Sequence, residues 1–93
     1  MRKTIHGPEQ EWLTARLRQA RTDAGLRQID VAERLGTPQS FVSKYETGER
    51  RLDLAELGQV CEAVGIELVE LVKQFEMAAL GGRQRSRSAI RKR

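Results

Sequence analysis

The stretch from Gln28 to Gly48, QIDVAERLGTPQSFVSKYETG, limits the folds open to this chain more than any other. Val31, Ala32 and Leu35 recur at the spacing of one helical face. Gly36 follows at once, where a chain leaving a helix often needs a left-handed backbone. Thr37 stands where the cap of a second helix belongs, and Pro38 at its first position, where a missing N–H does no harm. Val42 and Tyr45 continue the inward line, and Gly48 closes the second helix. Two helices joined by so short a turn cross steeply, and Ala32 keeps their contact thin. The outward face of the second helix is Gln39, Ser40, Ser43 and Lys44. These short or basic side chains are able to hydrogen-bond base edges or phosphates.

That pairing is the helix-turn-helix arrangement, whose second helix is placed to enter a DNA major groove. The remaining chain supplies its frame. A first helix is expected from Pro8 to Ala24, with Glu9 and Glu11 at its positive end and Trp12, Leu13, Leu17, Ala20 and Ala24 as an apolar stripe. Arg21 borders that stripe, and Gly25 ends the helix. The two central helices run from Gln28 to Leu35 and from Pro38 to Thr47. Asp53 and Glu56 then have capping-box spacing, and Leu52 and Leu57 the spacing of a hydrophobic staple, so a fourth helix starts at Leu54. It turns Leu57, Val60, Cys61 and Val64 inward and ends at Gly65. A fifth, from Glu67 to Ala79, carries Leu68, Leu71, Val72 and Phe75 on one face. Val69, Met77 and Leu80 lie off that face and suit a dimer surface.

The reading is one all-α domain over residues 8–80, between a flexible arm at 1–7 and a basic tail at 81–93 expected to be disordered without a partner. The net charge of +4 conceals a split. The arm carries Arg2 and Lys3 and no acid, and the tail carries six bases and no acid. Residues 8–80 hold nine bases against thirteen acids, and of these, residues 52–80 hold Lys73 against six acids. Positive charge therefore gathers on the central helices and both ends, so a polyanion would meet one side of the molecule.

Several residues near the two central helices are expected to hold phosphate. Arg27 is a poor cap, yet beside Gln28 at a helix N-terminus it makes a good phosphate site; the alternative is a surface arginine with no role. Arg50 and Arg51 follow the end of the third helix and should reach the same DNA backbone. Phe41 is expected to be partly buried with some DNA contact, and Thr37 and Thr47 complete the backbone-contact set.

The stretch from Leu17 to Phe75 resembles the Cro/CI-type, or XRE, helix-turn-helix family. Gln28, Ala32, Leu35, Gly36, Val42, Tyr45, Glu46 and Gly48 carry the resemblance at these spacings. It implies a five-helix, lambda-repressor-like DNA-binding domain. It implies that Gln28 holds phosphate, that Gln39, Ser40, Ser43 and Lys44 face base edges, and that Arg21 and Glu46 form an ion pair tying the first helix to the third. The chain departs from the family pattern at Arg27, where Ser, Thr or Asn is usual, and at Glu67, where a Ser cap is common.

The expected function is a sequence-specific DNA-binding transcriptional regulator, a repressor binding a near-palindromic operator as a dimer. The alternative is an antitoxin that represses its own promoter beside a toxin partner; a nonspecific nucleic-acid or protein-interaction module is a third class. The expected partners are double-stranded DNA and a second copy of the chain. No enzyme is expected, because no paired carboxylates, His–nucleophile set or phosphate loop occurs. No cofactor or metal is expected either: His6 stands alone, and a lone Cys61 makes neither a disulfide nor a cysteine zinc cage. No apolar run approaches the roughly 18 residues of a membrane span. The start of the chain is too short and polar for a signal peptide, so a cytoplasmic, nucleoid-associated place is expected.

Overall fold

Five helices follow one another in the chain: α1 (Pro8–Asp23), α2 (Gln28–Leu35), α3 (Gln39–Thr47), α4 (Leu54–Val64) and α5 (Leu68–Ala78). They belong to a computed structural model described for residues 7–79. The basic tail and nearly all of the N-terminal arm, with His6 and Leu80, lie outside the described residues. Among the described residues the domain is all-α.

Local chemistry sets the helix ends. Gly36, Gly48 and Gly65 each take a left-handed backbone just past a helix, at φ 73°, 87° and 84°. At the start of α4 the capping box is closed in both directions. Glu56 N donates to Asp53 Oδ1 at 2.8 Å, and Asp53 N donates to Glu56 Oε1 at 3.0 Å.

Two boundaries differ from expectation. Helix α1 stops at Asp23, and Ala24 is its exposed cap rather than part of the apolar stripe. Helix α3 begins at Gln39, with Pro38 as an extended N-cap and no side-chain cap bond. Thr37 does not cap it, because it stands one residue before the cap position, which Pro38 takes, and belongs to the turn that ends α2. Its amide donates to Ala32 O at 3.0 Å, in the six-to-one bond of a Schellman motif, and its hydroxyl is buried with no partner among the described residues.

The core gathers Leu17 and Ala20 of α1, Val31 and Ala32 of α2, Val42 and Tyr45 of α3, Val60, Cys61, Ala63 and Val64 of α4, and Leu71 of α5. Trp12 reaches Phe75 with ring centroids 5.7 Å apart, joining α1 to α5 at the core's edge. Polar fasteners run across the outside. Arg16 Nε donates to Gln74 Oε1 at 2.8 Å, and Arg34 Nη1 donates to Ala63 O at 2.7 Å near the C-terminal end of α4, where a cation also meets the helix dipole. Cys61 is buried, and burial pushes its thiol up from the ordinary range. On α5, Val72 is 41% exposed beside Val69 and Met77, because it sits at the rim of the face that Leu71 centres. No helix among the described residues is long and apolar enough to cross a membrane.

Candidate nucleic-acid interface

Helix α3 is two-sided. Val42, Tyr45 and Glu46 are buried, which turns Gln39, Ser40 and Lys44 to the exterior, with Ser43 half-buried beside them. The four residues expected to face base edges therefore share one outward face, and α2 packs Val31 and Ala32 into the same core as Val42 and Tyr45.

The anchor beneath the face is Glu46, a carboxylate only 2% exposed. Arg21 forks onto it, with Nε to Oε2 at 2.6 Å and Nη2 to Oε1 at 3.0 Å. Arg21 Nη1 also donates to Leu26 O at 2.9 Å, tying the α1–α2 turn to the same cluster. The hydrogen bond to Glu46 holds the Arg21 guanidinium above its ordinary range, against an opposing burial effect. A third donor reaches the carboxylate: Gln28 Nε2 lies 3.0 Å from Glu46 Oε1. Gln28 Oε1 in turn accepts from Gln39 Nε2 at 3.2 Å. One chain of hydrogen bonds thus runs from the interior of α1 to the outward face of α3.

The residues expected at the DNA backbone fall into three groups. Gln28, Arg51 and Thr47 lie around α3. Gln28 is half-buried, Arg51 and Thr47 are exposed, and the Thr47 hydroxyl donates to Lys44 O at 3.1 Å. Arg27 and Arg50 already have carboxylate partners. Arg27 is 77% exposed and pairs with Asp30 at 2.9 Å. Asp30 Oδ2 also accepts from Arg27 N at 2.7 Å, which is one half of a capping box; the other half is missing, because an arginine side chain has no acceptor to offer the first-turn amides of α2. The Arg27 side chain, then its backbone amide, hold the Asp30 carboxyl down at about 2. Arg50 grips Glu56 with two bonds, of 3.1 and 2.7 Å, and lies 4.9 Å from the centre of the Phe41 ring. The last group is turned inward. Phe41 is half-buried with its ring edge-on to Tyr45, and the Thr37 hydroxyl is beneath the surface, not offered at it.

Sequence reasoning missed Arg18. It is half-exposed, donates from Nη2 to Glu46 O at 3.1 Å, and brings positive charge beside the end of α3. Its position three residues before Arg21 places both on one face of α1, a spacing readable in the sequence. Among the described residues no three His, Cys, Asp or Glu side chains converge as metal ligands would.

Comparison with known proteins agrees with this geometry. A helix-turn-helix family model matches residues 17–71, more than half of the chain. An uncharacterised HTH-type transcriptional regulator, y4dJ, of Sinorhizobium fredii is 35% identical over 63 residues, covering 68% of this chain and 82% of that protein. An XRE-family-like protein from Pseudomonas syringae pv. tomato superposes with a TM-score of 0.75 at 44% identity, over 81% of this chain and 92% of that one. The clp gene regulator ClgR of Corynebacterium glutamicum superposes with a TM-score of 0.68 at 25% identity, over 90% of each chain.

Proposed function

The chain belongs to the XRE-type helix-turn-helix family of transcriptional regulators, and from that premise we propose that it reads a specific DNA sequence with α3 in the major groove. One observation carries the reading: α3 buries Val42, Tyr45 and Glu46 and keeps Gln39, Ser40 and Lys44 in the open, with Ser43 at the border. In this reading Gln39 pairs with an adenine edge, Lys44 donates to a guanine, and Ser40 and Ser43 accept or donate beside them. Arg27, Gln28, Thr37, Phe41, Thr47 and Arg51 form the backbone-contact shell. Phe41 acts through its ring edge, and Thr37, whose amide is bonded to Ala32 O and whose hydroxyl is buried, acts by shaping the turn that presents the others. Arg50 stands apart: Glu56 and the Arg51 carbonyl hold its guanidinium and the Phe41 ring lies against it, whereas Arg27, though paired with Asp30, is still 77% exposed.

A single α3 spans only a few base pairs, too few for a useful specificity ratio. The working unit is therefore a two-fold dimer on a near-palindromic operator, with half-sites about 34 Å apart or a multiple of that. The exposed Val69 and Met77 of α5, with an apolar groove lined by Leu13, Leu57, Leu71, Val72 and Phe75, support a second copy as the partner there. Occupying a promoter excludes other proteins from it, so repression, in the cytoplasm, is the action assigned. Selecting bound DNA from a random pool and sequencing it tests the reading. A near-palindrome bound by two copies in the ultracentrifuge is the expected result. A pool without enriched sequence, or a chain that stays monomeric both free and on the enriched DNA, would overturn it.

A further inference from the structure

The loop between α3 and α4 is built around one guanidinium. Arg50 Nη1 and Nη2 fork onto Glu56, and Nη1 also donates to Arg51 O at 2.6 Å. One face of the group lies 4.9 Å from the centre of the Phe41 ring, and that ring meets Tyr45 of the core edge-on with centroids 5.6 Å apart. Glu56 is at the same time the acceptor for Asp53 N in the α4 capping box. The backbone amides of Glu49 and Arg50 close on Lys44 O at 2.9 and 3.2 Å. A single side chain therefore joins α3 through Phe41, the loop through the Arg51 carbonyl, and the first turn of α4 through Glu56. Its charge is met by a carboxylate and one face is covered by an aromatic ring. A phosphate would have to compete with a geometrically matched carboxylate for it.

Resting on the DNA-binding reading above, we infer that Arg50 is a positioning residue and not a phosphate contact. It sets the height of the 49–53 loop against α3, and so the place from which Arg51 meets the DNA. The two roles predict opposite signs for one substitution. If Arg50 is a phosphate contact restrained by Glu56, Glu56→Gln frees it and tightens binding. If Arg50 acts through Glu56, Glu56→Gln loosens the loop and specificity drops.

The test uses the full chain, a DNA fragment enriched from a random pool, and a random fragment, in salt titrations. The variants are Arg50→Lys, Glu56→Gln and Asp53→Asn. Arg50→Lys keeps the charge but loses the planar fork. Asp53→Asn removes one negative charge, as Glu56→Gln does, while Asn remains a good cap and the Arg50–Glu56 pair stays. The expected result is that Arg50→Lys and Glu56→Gln each lower the enriched-over-random affinity ratio about three- to tenfold, with Asp53→Asn holding it. The inference is overturned if Glu56→Gln tightens both fragments and steepens the salt slope by about 0.9 with the ratio intact. It is also overturned if Asp53→Asn lowers the ratio as far as Glu56→Gln does. Amide exchange in the free protein separates this from the DNA reading. Exchange at residues 49–53 should quicken in Arg50→Lys and Glu56→Gln and hold in Asp53→Asn. Should the wild-type chain enrich no DNA, the functional reading fails while these exchange rates still decide the loop's anchor; unchanged rates would overturn the anchor itself.

Discussion

Arg21→Ala exposes how the interior charge is held. Glu46 is 2% exposed and would lose two of its three short donors, keeping Gln28 Nε2 at 3.0 Å and Arg18 Nε at 3.9 Å. Removing one partner of a buried ion pair costs about 3–5 kcal/mol. The remaining amide and the half-exposed Arg18 offset part of this, which puts the cost near the lower end, about 3 kcal/mol. In a domain of this size each kcal/mol moves the midpoint by about 4–8 °C, so the melting temperature should fall by about 12–24 °C. The assay is thermal unfolding followed by helical circular dichroism near neutral pH. Glu46→Gln and the double variant complete a cycle. Once Glu46 is neutral, the loss of Arg21 no longer strands a buried charge, so the double variant should melt above Arg21→Ala alone, with a coupling of about 1–3 kcal/mol. An Arg21→Ala midpoint within error of wild type would refute the reasoning, as would a double variant at the simple sum of the two singles.

Four further outcomes follow from three single sites. Gly58 lies inside α4, where an added Cβ meets Leu68 Cδ2 at an ordinary 3.7 Å, so Gly58→Ala should raise stability by about 0.5–1 kcal/mol in denaturant titration. The Tyr45 hydroxyl is buried without a partner among the described residues, so Tyr45→Phe should be neutral or stabilising by up to about 1 kcal/mol. Burial also raises the Tyr45 phenol well above its ordinary 10.0, so the unfolded chain ionises first; wild-type stability should fall as pH rises past 10, and phenolate absorbance should appear together with unfolding. At the acid end, Asp30 is held at about 2 against an ordinary 3.8, so its contribution is complete above about pH 4 and is lost as pH falls through its native value; Asp30→Asn should flatten the melting temperature over that window.

The sequence was most legible where structure is local. Gly36, Gly48 and Gly65 mark helix ends because a left-handed residue is needed within one turn, and Asp53 with Glu56 closes a box three residues wide. The end of α2 at Gly36 follows from the same kind of signal, whereas its start follows Arg27, which offers no side-chain cap. Thr37 failed as a cap by one residue: α3 starts at Gln39 with Pro38 as its N-cap, and Thr37 belongs to the turn that ends α2. Side-chain partners were less legible. Arg27 and Arg50 are bases near a proposed DNA surface, which composition reads as phosphate contacts. Asp30, three residues after Arg27, lies at a spacing the sequence shows; that Glu56, six residues after Arg50, grips it only the fold shows. Val72 illustrates a finer limit, because helical periodicity gives an angle on α5 but not the width of the neighbour that covers it.

Glu46 joins the stability of the domain to the aim of its outer face. As half of an ion pair it would be replaceable: swapping a buried pair for apolar residues of similar volume is often neutral or stabilising. Here the carboxylate also holds Gln28 Nε2, and Gln28 Oε1 holds Gln39 Nε2. An apolar replacement of Arg21 and Glu46 could restore packing, but it would leave the Gln28 amide without its inner acceptor. Gln28 would then be free to turn, and Gln39 would lose the neighbour that fixes its direction. A residue that fails to reach solvent thereby helps to decide where an exposed one points. For that reason a stability-neutral redesign of the pair is expected to disturb the proposed reading face even where the melting temperature recovers.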